Sequence, residues 1–235
     1  MTGRQEDEKT RGQKEDGTDV SHKSYSSHIS HSPLHPRLGI MGGTFDPLHT
    51  AHLITAEHAR ESFKLDRVLF VPSGQPPHKE GFPLSSAEDR YAMALLGTAD
   101  NPSFEVSRIE LDRPGPSYSI DTIRQIRGTY GLDASIYFIV GADEALSLPD
   151  WHDADSLPGL ARFIAVPRPG FDLDKLKSTL PGRLMAAIDM LDMLPMDISA
   201  TEIRERLVAG RSIRYLTPST VAAYIIKHGL YLGGE

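Results

Sequence analysis

No cysteine occurs in this chain of 235 residues. Its absence removes disulfides, thiolate zinc sites and cysteine nucleophiles, and leaves no need for an oxidising compartment. Long apolar runs are missing too, since nothing approaches the roughly 20 residues of a membrane span. Nor is positive charge in excess: 25 Lys and Arg stand against 32 Asp and Glu, a formal net charge of −7. That balance argues against a broad nucleic-acid-binding face. Several catalytic patterns are also lacking: the G-x-S-x-G elbow, the G-x-x-x-x-G-K-[ST] phosphate loop, the G-x-G-x-x-G fingerprint and H-E-x-x-H. With 39% hydrophobic and 24% charged residues, the remaining expectation is a soluble globular chain in the cytoplasm.

Residues 1–36 differ in composition from the rest of the chain. They mix both charge signs with Ser, Gly and His, and Val20 and Ile29 are nearly their only aliphatic residues after Met1. Such a stretch buries too little apolar surface to offset its ordering entropy, so a disordered tail is expected ahead of one domain spanning 37–235. It has neither the apolar core of a secretory signal nor the composition of a transit peptide.

From Arg37 onward, apolar runs alternate with helical spacing. Strands are expected at 37–42, 67–72, 104–111, 135–141 and 162–167, and helices at 49–63, 85–99 and 119–130. The second helix opens with Ser85 three residues before Glu88, a capping-box spacing. From about Asp172 the sequence shows short helical patterns and no convincing strand. The fold class implied is α/β, a Rossmann-like, doubly wound parallel sheet with helices on both faces and a helical C-terminal part.

Ligands of such sheets bind beyond the carboxyl ends of the strands, which brings GGTFDPLHTAH (42–52) and GADEA (141–145) to one rim. Gly42 and Gly43 let backbone approach a ligand, and the helix after them offers free N–H groups and a positive dipole end. His49 and His52, three apart, share the face of its first turn and suit phosphate oxygens. Metal binding is less well served, because a third ligand is missing. The plain alternative is a histidine pair satisfying core hydrogen bonds. In ISATEIRERL (198–207), Ser199 stands three residues before Glu202, which makes it an N-cap and places Thr201 and Arg204 near a second helix start.

Those two stretches resemble the paired signatures of the nucleotidyltransferase superfamily, G-x-F-x-P-x-H-x-G-H and I-S-x-T-x-x-R. Ala51 stands where the general pattern has glycine, a difference of one methyl group in the first helical turn. Three further segments resemble nicotinate-nucleotide adenylyltransferases: QPPHK (75–79), RPGPSYSIDTI (113–123) and GADEALSLPDWHD (141–153). Ser119 takes the place of the usual threonine. The likeness runs from about residue 37 to 232.

The resemblance implies a role for each matching position. Gly43, Thr44 and Phe45 would offer backbone contacts to the nucleotide, and Gly141 and Asp143 would meet the adenosine ribose. His49, His52 and Arg204 would be catalytic, with His52 on the α-phosphate. Ser199, Thr201 and Arg204 would grip the β- and γ-phosphates, and Arg168 would border adenine. For the mononucleotide the implied set is Lys79 at its phosphate, Trp151 stacked on its pyridine ring, and backbone N–H groups around Tyr118 to Thr122.

The expected reaction joins ATP and nicotinate mononucleotide, with Mg²⁺ carried on the ATP phosphates and no dedicated protein metal site. The partners expected are these small molecules alone, and a homo-oligomer is compatible with the sequence. Two other readings stand beside it. The acceptor could be nicotinamide mononucleotide or another small phosphate, or the chain could be a non-catalytic nucleotide sensor.

Overall fold

The computed structural model describes Met1 and residues 35–75, 84–167, 170–171, 173–194 and 196–232. The expected tail, and with it Lys79 and Arg168, falls outside these residues apart from Met1, His35 and Pro36.

The described strands form one sheet: β1 Arg37–Gly43, β2 Arg67–Pro72, β3 Phe104–Val106, β4 Ser135–Gly141, β5 Arg162–Val166 and β6 Ile188–Met190. All neighbouring pairs are parallel, in the order β3-β2-β1-β4-β5-β6. The helices are α1 Thr50–Ser62, α2 Ala87–Thr98, α3 Ser119–Tyr130, α4 Ala142–Ala145 and α5 Leu157–Leu160, then α6 Leu173–Thr179, α7 Gly182–Met185, α8 Ala200–Val208 and α9 Ser219–His228. None of them is long and apolar enough to cross a membrane.

Successive strand residues feed opposite faces, as the two-residue period requires. In β4, Ile136, Phe138 and Val140 pack with Ile120, Ile123 and Ile126 of α3, while Tyr137 and Ile139 join the cluster of Ala56, Met93 and Ala94 from α1 and α2. Both faces are therefore covered, which explains strands apolar throughout rather than alternating. The C-terminal helices cover the second face, since Ile203, Val221 and Ile225 belong to the same cluster as Ala56.

Three expectations need correction. The strand expected at 104–111 stops at Val106. Ser107 N–H still donates to the Phe70 carbonyl at 2.9 Å, but the next rung needs an N–H from position 72, which is Pro72. The C-terminal third does contain a strand, β6, paired Phe163↔Ile188 at the sheet edge. Three residues are too few to show a period, so the run around it reads as helix in sequence. Finally, Ser86 rather than Ser85 caps α2, accepting from Asp89 N–H at 3.1 Å. The same three-residue spacing holds one position later.

Strand order reverses between β1 and β4, which are neighbours in space although β2 and β3 intervene in sequence. Their carboxyl ends, Gly43 and Gly141, border the crevice where doubly wound sheets take ligands.

Candidate active site

The chain leaves β1 at Gly43 and enters α1 at Thr50, with His49 as the N-cap in extended conformation. His49 N–H donates to His52 Nδ1 at 3.2 Å, an imidazole counterpart of the usual capping-box carboxylate. Because Nδ1 accepts, the ring proton of neutral His52 belongs on Nε2, which makes that nitrogen a donor. The two rings stack with centroids 3.6 Å apart, and Phe45 stands edge-on to His52 at 5.1 Å. The histidines therefore act as one rigid pair at the helix start.

The loop between them and the sheet is fastened from several directions. Arg90 of α2, only 2% exposed, gives Nη1 to the carbonyls of Thr44 (3.0 Å) and Ser73 (2.7 Å), and Nε to that of Ser85 (3.2 Å). Burial draws its pKa below the ordinary arginine value, opposed by Asp46 and Tyr231. Asp46, 1% exposed, accepts from Tyr231 hydroxyl on Oδ1 and from Ser85 N–H on Oδ2 at 3.3 Å. Arg204 Nη1 donates to the Asp46 main-chain carbonyl at 2.7 Å, a contact across 158 positions. The segment before α9 adds Thr217 hydroxyl to the Leu48 carbonyl at 2.7 Å, while the Leu216 carbonyl receives Thr50 N–H at 2.9 Å.

Arg204 sits on α8, whose cap is Ser199, accepting from Glu202 N–H at 3.1 Å. A second Arg204 nitrogen lies 3.3 Å from Thr201 Oγ1. The two sequence motifs thus meet: a histidine pair and a guanidinium gather around one glycine-ended strand. Two imidazoles and one fixed cation make an anion site able to stabilise charge on phosphate oxygens, while the Thr50 and His52 N–H groups at the α1 start are already given to the Leu216 and His49 carbonyls.

A second group of residues lies beyond β4 and at the start of α3. Trp151 is half-buried, edge-on to Phe138 (5.7 Å) and Phe163 (6.3 Å), with Nε1–H donating to Ser147 Oγ at 3.0 Å. Its neighbour His152 stacks on Tyr118, the N-cap of α3, at 4.3 Å. In the first turn of α3, Thr122 donates its hydroxyl to Glu110, 7% exposed, at 2.7 Å. Burial raises the Glu110 pKa, opposed by Thr122, Arg113, Ser117 and the Gly74 N–H. A Cβ at Gly74 would stand 2.4 Å from the Glu110 carbonyl oxygen, so glycine alone fits where these two loops touch.

Comparisons with known proteins show the family. The model of the cytidylyltransferase-like family matches residues 40–206. A Moorella thermoacetica protein named "Probable nicotinate-nucleotide adenylyltransferase" is 49% identical over 198 residues, covering 83% of this chain and 91% of that one. A Thermus thermophilus protein of the same name is 47% identical over 195 residues, covering 83% and 99%. This chain belongs to the nicotinate-nucleotide adenylyltransferase family. In fold it is similar to a Plasmodium falciparum nicotinic acid mononucleotide adenylyltransferase complexed with NaAD (TM-score 0.68, 19% identity, 84% of this chain and 98% of that one).

Within a nicotinate-nucleotide adenylyltransferase frame, Ser199 caps α8, and Tyr118 and Trp151 belong to the second group beyond β4 and at the start of α3. Gly43, Thr44, His49, His52, Thr201 and Arg204 converge at the end of β1, and Gly141 and Asp143 lie at the neighbouring end of β4, where Gly141 caps α4. Some side chains point elsewhere. Phe45 is 1% exposed in the core with φ +50°, leaving only its backbone for a ligand, and Thr122 spends its hydroxyl on Glu110 and its N–H on the Tyr118 carbonyl (3.3 Å). The N–H groups at the start of α3 therefore come from Ser119 and Ile120, ahead of Thr122. Lys79 and Arg168 lie outside the described residues.

Sequence reasoning missed Asp46, Arg90, Glu110, His152 and Tyr231. Asp46 and His152 sit inside quoted motifs, FDP and WHD, and are legible there as polar residues without an assigned task. Arg90 lies within the expected second helix as an ordinary charged position.

Proposed function

We propose that this chain joins ATP to nicotinate mononucleotide, giving deamido-NAD and pyrophosphate in NAD biosynthesis. The observation that carries the proposal is the meeting of both motifs, with Arg204 hydrogen-bonded to Asp46 four residues along the chain from Gly42 and three before His49. The family membership supplies the choice of reaction.

In this reading a phosphate oxygen of the mononucleotide, already an anion, attacks the α-phosphorus of ATP in line and needs no general base. The new P–O bond forms as the bond to the α,β-bridging oxygen breaks, and pyrophosphate leaves with the electron pair. His52, through Nε2–H, stabilises charge on the α-phosphate, and His49 supports its ring by stacking. Arg204, with Ser199 and Thr201, holds the β- and γ-phosphates; Gly43, Thr44 and the Phe45 backbone line the nucleotide, and Gly141 and Asp143 take the ribose. Trp151 and the α3 start receive the pyridine ring, with Tyr118 and His152 as their stacked flank, Lys79 at the mononucleotide phosphate and Arg168 beside adenine.

Magnesium enters this scheme as part of the substrate, bound to the triphosphate, where it neutralises phosphate charge. Both Asp46 oxygens are engaged by Tyr231 and Ser85, and no cluster of three or more His, Asp or Glu suited to a metal occurs among the described residues. The donors on offer are imidazole and guanidinium, so phosphate oxygens and water suit the ion better. We also propose that residues 37–235 are a self-sufficient catalytic domain working in the cytoplasm. Release of pyrophosphate from ATP only when nicotinate mononucleotide is added is the test.

A further inference from the structure

We propose that Tyr231, just beyond α9, is a positioning residue for the histidine loop and acts through Asp46. The inference rests on the adenylyltransferase reading. Gly229 ends α9 in the left-handed region (φ +64°), and Leu230 N–H returns to the Ile225 carbonyl at 3.0 Å. Tyr231 comes next, itself left-handed at φ +65°. This turn brings its hydroxyl back to Asp46 Oδ1, across 185 positions.

Asp46 is where three distant segments meet. Tyr231 holds Oδ1, Ser85 holds Oδ2, and Arg204 holds the main-chain carbonyl of the same residue at 2.7 Å. The carboxylate is buried beside the equally buried Arg90, which grips the Thr44 carbonyl two positions earlier. Two buried charges that influence each other through space are a costly way to fill it, since apolar groups of similar size often serve stability as well or better. Its return here is geometric. The hydroxyl of Tyr231 fixes the Asp46 side chain, Arg204 reads the Asp46 carbonyl, and three residues later His49 begins the stacked pair. Shifting Asp46 therefore shifts the guanidinium and the imidazoles relative to each other, and misplacement of about 1 Å can cost roughly 10²-fold in rate.

Tyr231→Phe removes the hydroxyl, and with it the Asp46 hydrogen bond and a weak 3.9 Å contact to Met93 Sδ, while the ring stays against the core cluster that holds Met93. Expected is a loss in kcat of about 10-fold or more with KM for both substrates changed by less than about threefold. In a His52→Ala background the same substitution should cost less than about threefold, because the effect runs through that loop. Equal losses in both backgrounds, or a rise in both KM values with kcat intact, would overturn the proposal in favour of a general structural role. If Tyr231→Phe proves too unstable to assay, Tyr231→Phe/Asp46→Asn removes the stranded charge and must show the same kcat loss; normal kcat there overturns the proposal. Wild-type turnover is measured first. Its absence defeats the functional reading, whereas wild-type turnover with an unaffected Tyr231→Phe defeats this inference alone.

Discussion

The two ends of the crevice are built differently. At the end proposed to take the phosphates, Arg90 and Asp46 are almost wholly buried, and hydrogen bonds from α2, α8 and the turn after α9 converge on the loop from Thr44 to His49. At the end proposed to take the pyridine ring, Trp151 is only half-buried and Tyr118 and His152 stack near the surface, with the buried carboxylate of Glu110 held by Thr122 of the same helix start. The contrast suits the two tasks proposed for these ends. Stabilising a transition state needs donors fixed in place before reaction, whereas holding an aromatic ring needs a face and an edge.

The largest expected effect breaks the phosphate end. His52→Ala should lower kcat by about 10²-fold or more while ATP still binds, the scale of losing one preorganised donor. Steady-state turnover with ATP binding by calorimetry checks this, and near-normal kcat would make the pair structural. Next comes the pyridine end. Two donors aimed at one point suit a ring carboxylate, but the NH₂ of the amide would leave a donor unpaired, at a cost of about 1–3 kcal/mol. Preference for nicotinate over nicotinamide mononucleotide should therefore be roughly 10- to 100-fold in kcat/KM, and Trp151→Ala should weaken both by similar factors.

A smaller effect tests Glu110. Its folded-state pKa is raised, with burial the leading cause, so its contribution to stability is fully present below the ordinary carboxylate value. That contribution is lost as pH rises through the higher folded-state value. Glu110→Gln keeps an oxygen for Thr122 and removes the titration. Its Tm relative to wild type should rise between acid and neutral pH by a few degrees, since about 1 kcal/mol moves Tm by roughly 2–4 °C at this size. A difference that is flat with pH would mean that burial does not govern the group. The smallest effect concerns the first 36 residues: deleting them should leave Tm and turnover nearly unchanged. A marked loss of either would place part of the catalytic unit there.

The same contrast governs what the sequence discloses. GGTFDPLHTAH and ISATEIRERL announce themselves because glycine turns, caps and paired histidines are local patterns. The five strands that are apolar or alternating are legible for the same reason, although the pattern of one runs on where Pro72 ends its pairing. What holds the loop in place is not legible. Asp46 and Tyr231 are 185 positions apart, Arg204 and Asp46 are 158 apart, and nothing in the identity of a tyrosine names its partner. Thr122 shows the limit in miniature: its place near the α3 start can be read from the motif, but only packing shows that its hydroxyl faces Glu110.

Pyrophosphate release tests most directly whether these two ends serve one reaction. Purified full-length chain is mixed with ATP and magnesium, with nicotinate mononucleotide, nicotinamide mononucleotide or no acceptor, and pyrophosphate is followed while the dinucleotide product is identified by mass. Expected is sustained turnover that depends on an acceptor, clear preference for the acid, and deamido-NAD formed one for one with pyrophosphate. Pyrophosphate release that ignores the acceptor, or ATP binding without any release, would contradict that.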